Sequence, residues 1–169
     1  DYADSSELVS LACGLGSDAD DSMDLYVSYG DVIFKRYILD ALAETDDDFA
    51  IVVDTEWHES VNRGRAADYV RCTQPHSRRA FYQQTWLESA AEDLPEDRIH
   101  GEWMGFMKIS AAALPRFRSL VAGLAAKPEN RKSKLHELLS ELVRSGERVR
   151  VIYPTGHWLD IDSLEDVVA

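Results

Sequence analysis

The chain has 169 residues and a formal net charge of −13, because 31 Asp and Glu outnumber 18 Lys and Arg. Apolar residues make up 45% of it, which suffices for a hydrophobic core and argues against a disordered chain. The acidic excess repels phosphate backbones and anionic lipids, so we expect neither nucleic-acid nor membrane binding.

The sequence shows no apolar run as long as a membrane span. Its first residues also lack the basic and then apolar pattern of a signal peptide. These two observations favour a cytoplasmic protein.

Helical and extended patterns alternate along the chain, which predicts a single α/β domain over residues 1–169. In chain order we expect a helix at 6–14, a strand at 25–29, a helix at 35–43, strands at 49–53, 68–73, 81–87 and 104–109, helices at 111–126 and 132–144, a strand at 149–153 and a helix at 163–168. The unbroken apolar run at 49–53 indicates a strand that is covered on both faces. Pro115 should interrupt its helix early, and Gly146 should cap the preceding helix in the left-handed conformation.

Two familiar signatures are incomplete. Gly14 and Gly16 are followed by Ala19 where a dinucleotide-binding loop has its third glycine. His58 is followed by Asn62 where a zinc protease has its second histidine ligand. The sequence therefore favours neither a dinucleotide site nor a zinc site.

Acidic residues follow two of the predicted strands. Asp31 comes just after the strand at 25–29, and Asp160 and Asp162 follow the strand at 149–153. Ligands of α/β sheets collect at the carboxyl ends of strands, and carboxylate oxygens suit Mg²⁺. The three side chains are therefore candidate magnesium ligands. The alternative is that Asp31 is an ordinary turn residue and Asp162 a helix cap.

An arginine cluster stands out in this acidic chain. It consists of Arg63, Arg65, Arg71, Arg78 and Arg79. Guanidinium groups bind phosphate or phosphonate oxygens in pairs, so the cluster is a candidate acceptor-binding element. The alternative is that each arginine pairs with a surface carboxylate.

Two glycines, Gly101 and Gly105, bracket Glu102 and Trp103. Glycine at such positions often lets a ligand approach the backbone closely. Glu102 and Trp103 are therefore candidate substrate contacts, although a tryptophan is more often part of the core.

Four segments together resemble the nucleotidyltransferases that make activated sugars and activated choline. They are SYGDVIF at 28–34, AIVVD at 50–54, GEWMGFMKI at 101–109 and GHWLDID at 156–162, with Asp166 following. Within that superfamily the chain looks most like the cytidylyltransferase domains for phosphocholine and aminoalkylphosphonates, including those fused to phosphoenolpyruvate mutase. The resemblance implies a Rossmann-like mixed, mostly parallel sheet.

The resemblance also implies an activity and a set of roles. Asp31, Asp160 and Asp162 match the aspartates that hold Mg²⁺, and Glu102 matches a position near the acceptor. Arg65 and Arg71 lie in the segment that would close over the acceptor. The implied reaction transfers a cytidylyl group from CTP to a small phosphonate or phosphocholine-like acceptor and releases pyrophosphate, and the protein could be fused to or associated with a phosphoenolpyruvate mutase domain.

The family opens with a glycine-rich loop that holds the nucleotide, and residues 1–24 contain no such loop. We therefore expect the chain to lack the family's amino-terminal strands. Two alternatives stay open at this point: a sugar-1-phosphate nucleotidyltransferase, and a non-catalytic remnant or interaction module.

Overall fold

The computed structural model describes residues 6–16, 22–59, 66–80 and 83–161. The helices are α1 (Glu7–Gly14), α2 (Tyr37–Ala43), α3 (Leu114–Ala125) and α4 (Leu135–Arg144). The strands are β1 (Leu25–Ser28), β2 (Val32–Phe34), β3 (Phe49–Asp54), β4 (Tyr69–Cys72), β5 (Thr85–Ala91), β6 (Gly101–Ile109), β7 (Val149–Ile152) and β8 (Trp158–Asp160). None of the helices in these ranges combines the length and the apolar character that crossing a membrane requires.

Six strands form one mixed sheet in the order β1-β6-β3-β7-β5-β4. The neighbours β3 and β7 are parallel, and the other neighbouring pairs are antiparallel. These pairings make β1, β3, β4 and β7 point one way and β5 and β6 the other way. The expected α/β fold with a mixed sheet is therefore confirmed. Because β4 also pairs with the start of β6, the last five strands close into a ring.

Both faces of β3 are buried, as its unbroken apolar sequence predicts. Phe49, Ile51 and Val53 belong to a core shared with α1, α3 and α4, whereas Ala50 and Val52 belong to a core shared with α2. Successive side chains of a strand point to opposite faces, so a strand between two helical layers needs apolar residues at every position.

The helix signals are mostly confirmed. Gly146 has φ 93° directly after α4, the left-handed conformation expected of it. Pro115 does not interrupt α3, because it lies in the first turn of a helix that begins at Leu114. Backbone N–H groups of the first turn have no intrahelical partner, so proline is tolerated there.

Some boundaries differ from the sequence prediction. The strand expected at 81–87 is β5 at Thr85–Ala91, and the short antiparallel pair of β2 with β8 was not predicted. Each strand of that pair has three residues, which is too short for an alternating pattern to be recognised. The helix expected at 163–168 lies outside the described residues.

Candidate active site

A cavity of about 160 Å³ lies where the chain leaves β1 and enters β6. Its wall includes Asp31, Glu102, Trp103 and Asp160, four of the side chains that the sequence singles out. The other residues that line it are Glu7, Tyr29, Val32, Ala66, Ala67, Asp68, Glu92, Lys134 and Trp158. Segments from most of the chain thus meet around one small space.

The pairing of β2 with β8 brings Asp31 and Asp160 to the same wall. Val32, which follows Asp31, is the antiparallel partner of Asp160. The backbone N–H of Ile161 donates to the carbonyl oxygen of Asp31 at 2.9 Å. These contacts fix the backbones of Asp31 and Asp160 beside each other, although the two residues come from opposite ends of the chain.

Asp54 anchors the segment that carries Asp160. Its Oδ2 accepts a hydrogen bond from Trp158 Nε1 at 2.8 Å, and its Oδ1 accepts one from the backbone N–H of Glu56 at 3.0 Å and one from that of Gly156 at 3.4 Å. Asp54 is buried at the end of β3. A buried carboxylate with three donors is satisfied, so it fixes β8 against the main sheet.

Glu102 is a buried carboxyl group among other acids. Burial, together with the negative charges of Asp54, Asp160 and Asp68, raises the pKa of Glu102 to about 7. At neutral pH this side chain is therefore protonated in a large fraction of molecules, and in that form it can donate a hydrogen bond. A cation bound next to these carboxylates would be stabilised by their negative charges.

Trp103 forms the floor of the cavity next to Tyr29. Its indole is buried and donates from Nε1 to the carbonyl oxygen of Phe106 at 2.9 Å. The rings of Tyr29 and Trp103 lie 5.3 Å apart. Gly105 has φ 76°, and a Cβ there would lie 2.4 Å from Tyr29 Cδ2, so glycine is required where Tyr29 crosses β6.

A hydrogen-bonded network forms the opposite wall. The Tyr29 hydroxyl donates to Asp68 Oδ2 at 2.7 Å, and His136 Nδ1 lies 2.7 Å from Asp68 Oδ1. Burial lowers the pKa of His136, but the hydrogen bond and charge of Asp68, with the charges of Glu92 and Glu137, outweigh burial and raise that pKa above its ordinary value. A protonated His136 therefore favours the folded state.

This ion pair predicts a pH-dependent stability. Its contribution is full below pH ~6.5, the ordinary pKa of histidine in an unfolded chain, and is lost as pH rises through the higher pKa of folded His136. We expect His136→Gln to lower the free energy of unfolding by about 1 kcal/mol more at pH 6 than at pH 9, the difference between a charged and a neutral hydrogen bond.

Urea unfolding of both proteins at the two pH values measures this difference. His58→Gln is the matched control, since His58 is exposed and an exposed pair contributes little. An equal loss at pH 6 and pH 9 for His136→Gln would contradict a charged pair with Asp68.

Among the remaining sequence candidates, those that the structure describes, Arg71, Arg78 and Arg79, do not line the cavity. Arg71 lies on β4 and donates from Nε to Glu88 Oε2 at 2.8 Å, so in this structure it is a partner of a surface carboxylate. Arg65 and Asp162 lie outside the described residues, as does Arg63. Their roles stay predictions.

Sequence reasoning missed several residues of the site. Asp54 had a recognisable signal, because it ends a buried apolar strand in the same way that Asp31 follows β1. Asp68 and His136 had none, since one precedes a strand and the other faces inward from a helix. Tyr29 is recognised as part of the site only through its packing over Gly105, which has the left-handed backbone conformation.

Solved structures with the same fold are nucleotidyltransferases. The inositol-1-phosphate CTP transferase from T. maritima matches with a TM-score of 0.68 and 14% identity, over 98% of this chain and 59% of that one. The CTP:phosphocholine cytidylyltransferase from Streptococcus pneumoniae matches with 0.60 and 15%, over 99% and 63%. A UDP-glucose pyrophosphorylase complexed with UDP-glucose matches with 0.64 and 10%, over 98% and 60%.

These structures show that the chain has the nucleotidyltransferase fold that its motifs imply. The chain spans about three fifths of the length of each of the three proteins. No family model and no curated protein matches its sequence. Phosphonate chemistry and a phosphoenolpyruvate mutase partner stay predictions, because none of the three similar structures is described in those terms.

Proposed function

We propose that the protein transfers a cytidylyl group from CTP to a phosphate or phosphonate oxygen of a small acceptor. The acceptor oxygen bonds to the α-phosphorus of CTP, the bond from that phosphorus to the bridging oxygen breaks, and pyrophosphate leaves with the electron pair. The observation that carries this proposal is the meeting of Asp31 and Asp160 on one cavity wall of a nucleotidyltransferase fold.

The donor set of the cavity fits Mg²⁺. Six carboxylates and one lysine line it: Glu7, Asp31, Asp68, Glu92, Glu102, Asp160 and Lys134. Carboxylate oxygens are preferred Mg²⁺ ligands, and the raised pKa of Glu102 shows how strongly the site disfavours further negative charge. Asp31 and Asp160 would hold the ion, with Asp162 as the third candidate, and the ion would supply charge neutralisation at the transferring phosphoryl group.

The role of the protein's own residues is then to orient the acceptor and the nucleotide. An acceptor phosphate or phosphonate oxygen is already an anionic nucleophile, so the reaction needs no general base, and rate comes from orientation and electrostatics. Trp103 and Tyr29 give the cavity rigid aromatic walls, and Glu102 lies on the same cavity wall, where it can contact the acceptor.

The lining favours an acceptor with an amino or quaternary ammonium group. Glu7, Asp68 and Glu92 line the cavity together with Tyr29 and Trp103, and Glu7 and Asp68 accept hydrogen bonds from the Tyr29 hydroxyl. Carboxylates and aromatic faces both attract cations. The volume, about 160 Å³, corresponds to roughly five water molecules, which suits a small head group. Aminoethylphosphonate and phosphocholine have this chemistry, whereas glucose 1-phosphate has no cation.

Pyrophosphate release tests the proposal. Because the chain spans about three fifths of the compared enzymes, the assay uses this chain and, separately, the protein at its full natural length. Each is incubated with CTP or UTP, with and without Mg²⁺, and with aminoethylphosphonate, phosphocholine or glucose 1-phosphate. We expect Mg²⁺-dependent release with CTP, at least about tenfold faster with an amine-bearing acceptor, the effect of one added charge contact.

Two other results would each reject a part of this proposal. A preference for glucose 1-phosphate would mean that the protein is a sugar-1-phosphate nucleotidyltransferase. No pyrophosphate from the full polypeptide with any pair of substrates would assign a non-catalytic module.

A further inference from the structure

A second cavity, of about 450 Å³, lies between the loop after β4, the start of β5 and the end of β7. It is lined by Gln74, Pro75, His76, Ser77, Arg78, Gln83, Thr85, Arg150, Val151, Ile152 and Tyr153. We call it the arginine cavity. It shares no lining residue with the candidate active site.

The charge of the arginine cavity is opposite to that of the protein. Arg78, Arg150 and His76 line it, and none of its lining residues in the described part of the chain is a carboxylate. The net charge of the chain is −13, so the sign of the charge at this wall is opposite to that of the protein as a whole. Charges further away than ~10 Å are largely screened in physiological salt, so an anion entering this cavity meets mainly the groups near its wall: the two guanidinium groups, and the Asp47 carboxylate beside Arg150.

Arg150 is held in place but not fully satisfied. Its guanidinium lies 5.5 Å from the centre of the Trp86 ring, and its Nε lies 3.9 Å from Asp47 Oδ2. Its Nη1 is buried and has no hydrogen-bond partner in the structure. An unpaired buried donor is unfavourable, so a small side-chain movement that gives Arg150 an anionic partner would be stabilising.

Arg78 is the second guanidinium of the cavity. It is exposed, and it has no carboxylate partner among the residues that the structure describes. Arg71, on the neighbouring strand, pairs with Glu88. Within the described part of the chain, Arg78 is thus available to an external anion.

The loop that carries Arg78 is fixed to the sheet through Gln74 and His76. The Tyr153 hydroxyl donates to the carbonyl oxygen of Gln74 at 3.0 Å, and Gln74 Nε2 donates to Thr85 Oγ1 at 3.2 Å. The ring of His76 packs edge-on against Tyr153 at 5.5 Å. The wall is therefore formed before any ligand binds, which reduces the entropy lost on binding.

We propose that the arginine cavity binds the phosphate group of a small molecule, at a site separate from the proposed nucleotidyl-transfer site. Guanidinium groups match phosphate oxygens with paired hydrogen bonds, and the hydroxyl, imidazole and amide groups on the same wall suit the remaining oxygens. The loop from Tyr153 to Trp158 links this site to the acidic cavity along the chain.

Titration with inorganic phosphate, followed by amide NMR at constant ionic strength, tests this site. We expect saturable shifts at residues 74–78, 83–85 and 150–153. Arg78→Gln and Arg150→Gln should each weaken phosphate binding at least about tenfold, the effect of losing a charge-assisted contact. Arg98→Gln is the control, since it removes the same charge from an exposed residue outside the cavity, and its affinity should stay within about twofold of the parent protein.

Three results would overturn the assignment. They are the same shifts with chloride, equal affinity for acetate, and unchanged phosphate binding in Arg78→Gln. Because Arg78 is exposed, Arg78→Gln is expected to fold normally. Its phosphate affinity therefore decides the test even if Arg150→Gln unfolds.

Discussion

Asp160→Asn is expected to lower kcat for cytidylyl transfer by about 10²–10³-fold, the range seen when one preorganised electrostatic partner of a transition state is removed. Asparagine keeps the size of the side chain, and the pairing of β8 with Val32 uses only backbone atoms. The substitution therefore removes a charge from the cavity wall that Asp31 also lines and keeps the backbone pairing of β8. Steady-state kinetics with saturating CTP and acceptor measure the loss.

The matched control is Asp97→Asn, which removes the same charge from an exposed 3-10 turn far along the chain from either aspartate. It should keep full turnover. Both variants should unfold at the temperature of the parent protein, so a lowered kcat in Asp160→Asn reports on chemistry. Parent-like turnover of Asp160→Asn would remove Asp160 from the proposed metal site, even if nucleotidyl transfer itself were established.

The elements with strong local signals were predictable from the sequence. β3 was found because its first five residues, 49–53, are all apolar, and α4 because its leucines repeat at helical spacing and Gly146 ends it. In both cases the burial that the fold imposes is visible as a pattern in the residues themselves. The tertiary contacts of β3 and α4 are consistent with these local patterns.

Elements that depend on distant partners were harder to place. β2 and β8 are strands only because residues from opposite ends of the chain pair with each other. β5 begins later than predicted, since its pairing with β7 at Thr85 and with β4 at residues 87–91 sets its limits. No local pattern encodes such partners.

The residues of the candidate site divide in the same way, into those with a local sequence signal and those that depend on distant contacts. Asp31 and Asp160 were found because each follows a recognisable strand, and they do line one cavity. The network of Tyr29, Asp68 and His136 depends on contacts between α4, the end of β1 and the start of β4, so it was visible only in the structure. The position of Arg71 likewise depends on its cross-strand partner on β5.

Gly101→Ala is expected to lower the free energy of unfolding by about 3 kcal/mol, at the upper end of the usual cost of overpacking. A Cβ at this position would lie 2.4 Å from Val53 Cγ1 and 2.6 Å from the carbonyl oxygen of Asp54. Gly101 also pairs with Val70 of β4, so β6 is enclosed between two strands at this point. The side chain of Val53 can rotate, but the Asp54 carbonyl can move only with the backbone.

Gly123→Ala is the matched control, and its effect should have the opposite sign. Gly123 lies inside α3, and a Cβ there would meet nothing within 4 Å. Alanine in an open helical position should raise the free energy of unfolding by about 0.5–1 kcal/mol. Urea unfolding of both variants measures the two values on the same scale. A parent-like stability of Gly101→Ala would mean that β3 and β6 separate readily at this end, and the placement of Asp54 and Glu102 beside the acidic cavity would then be in error.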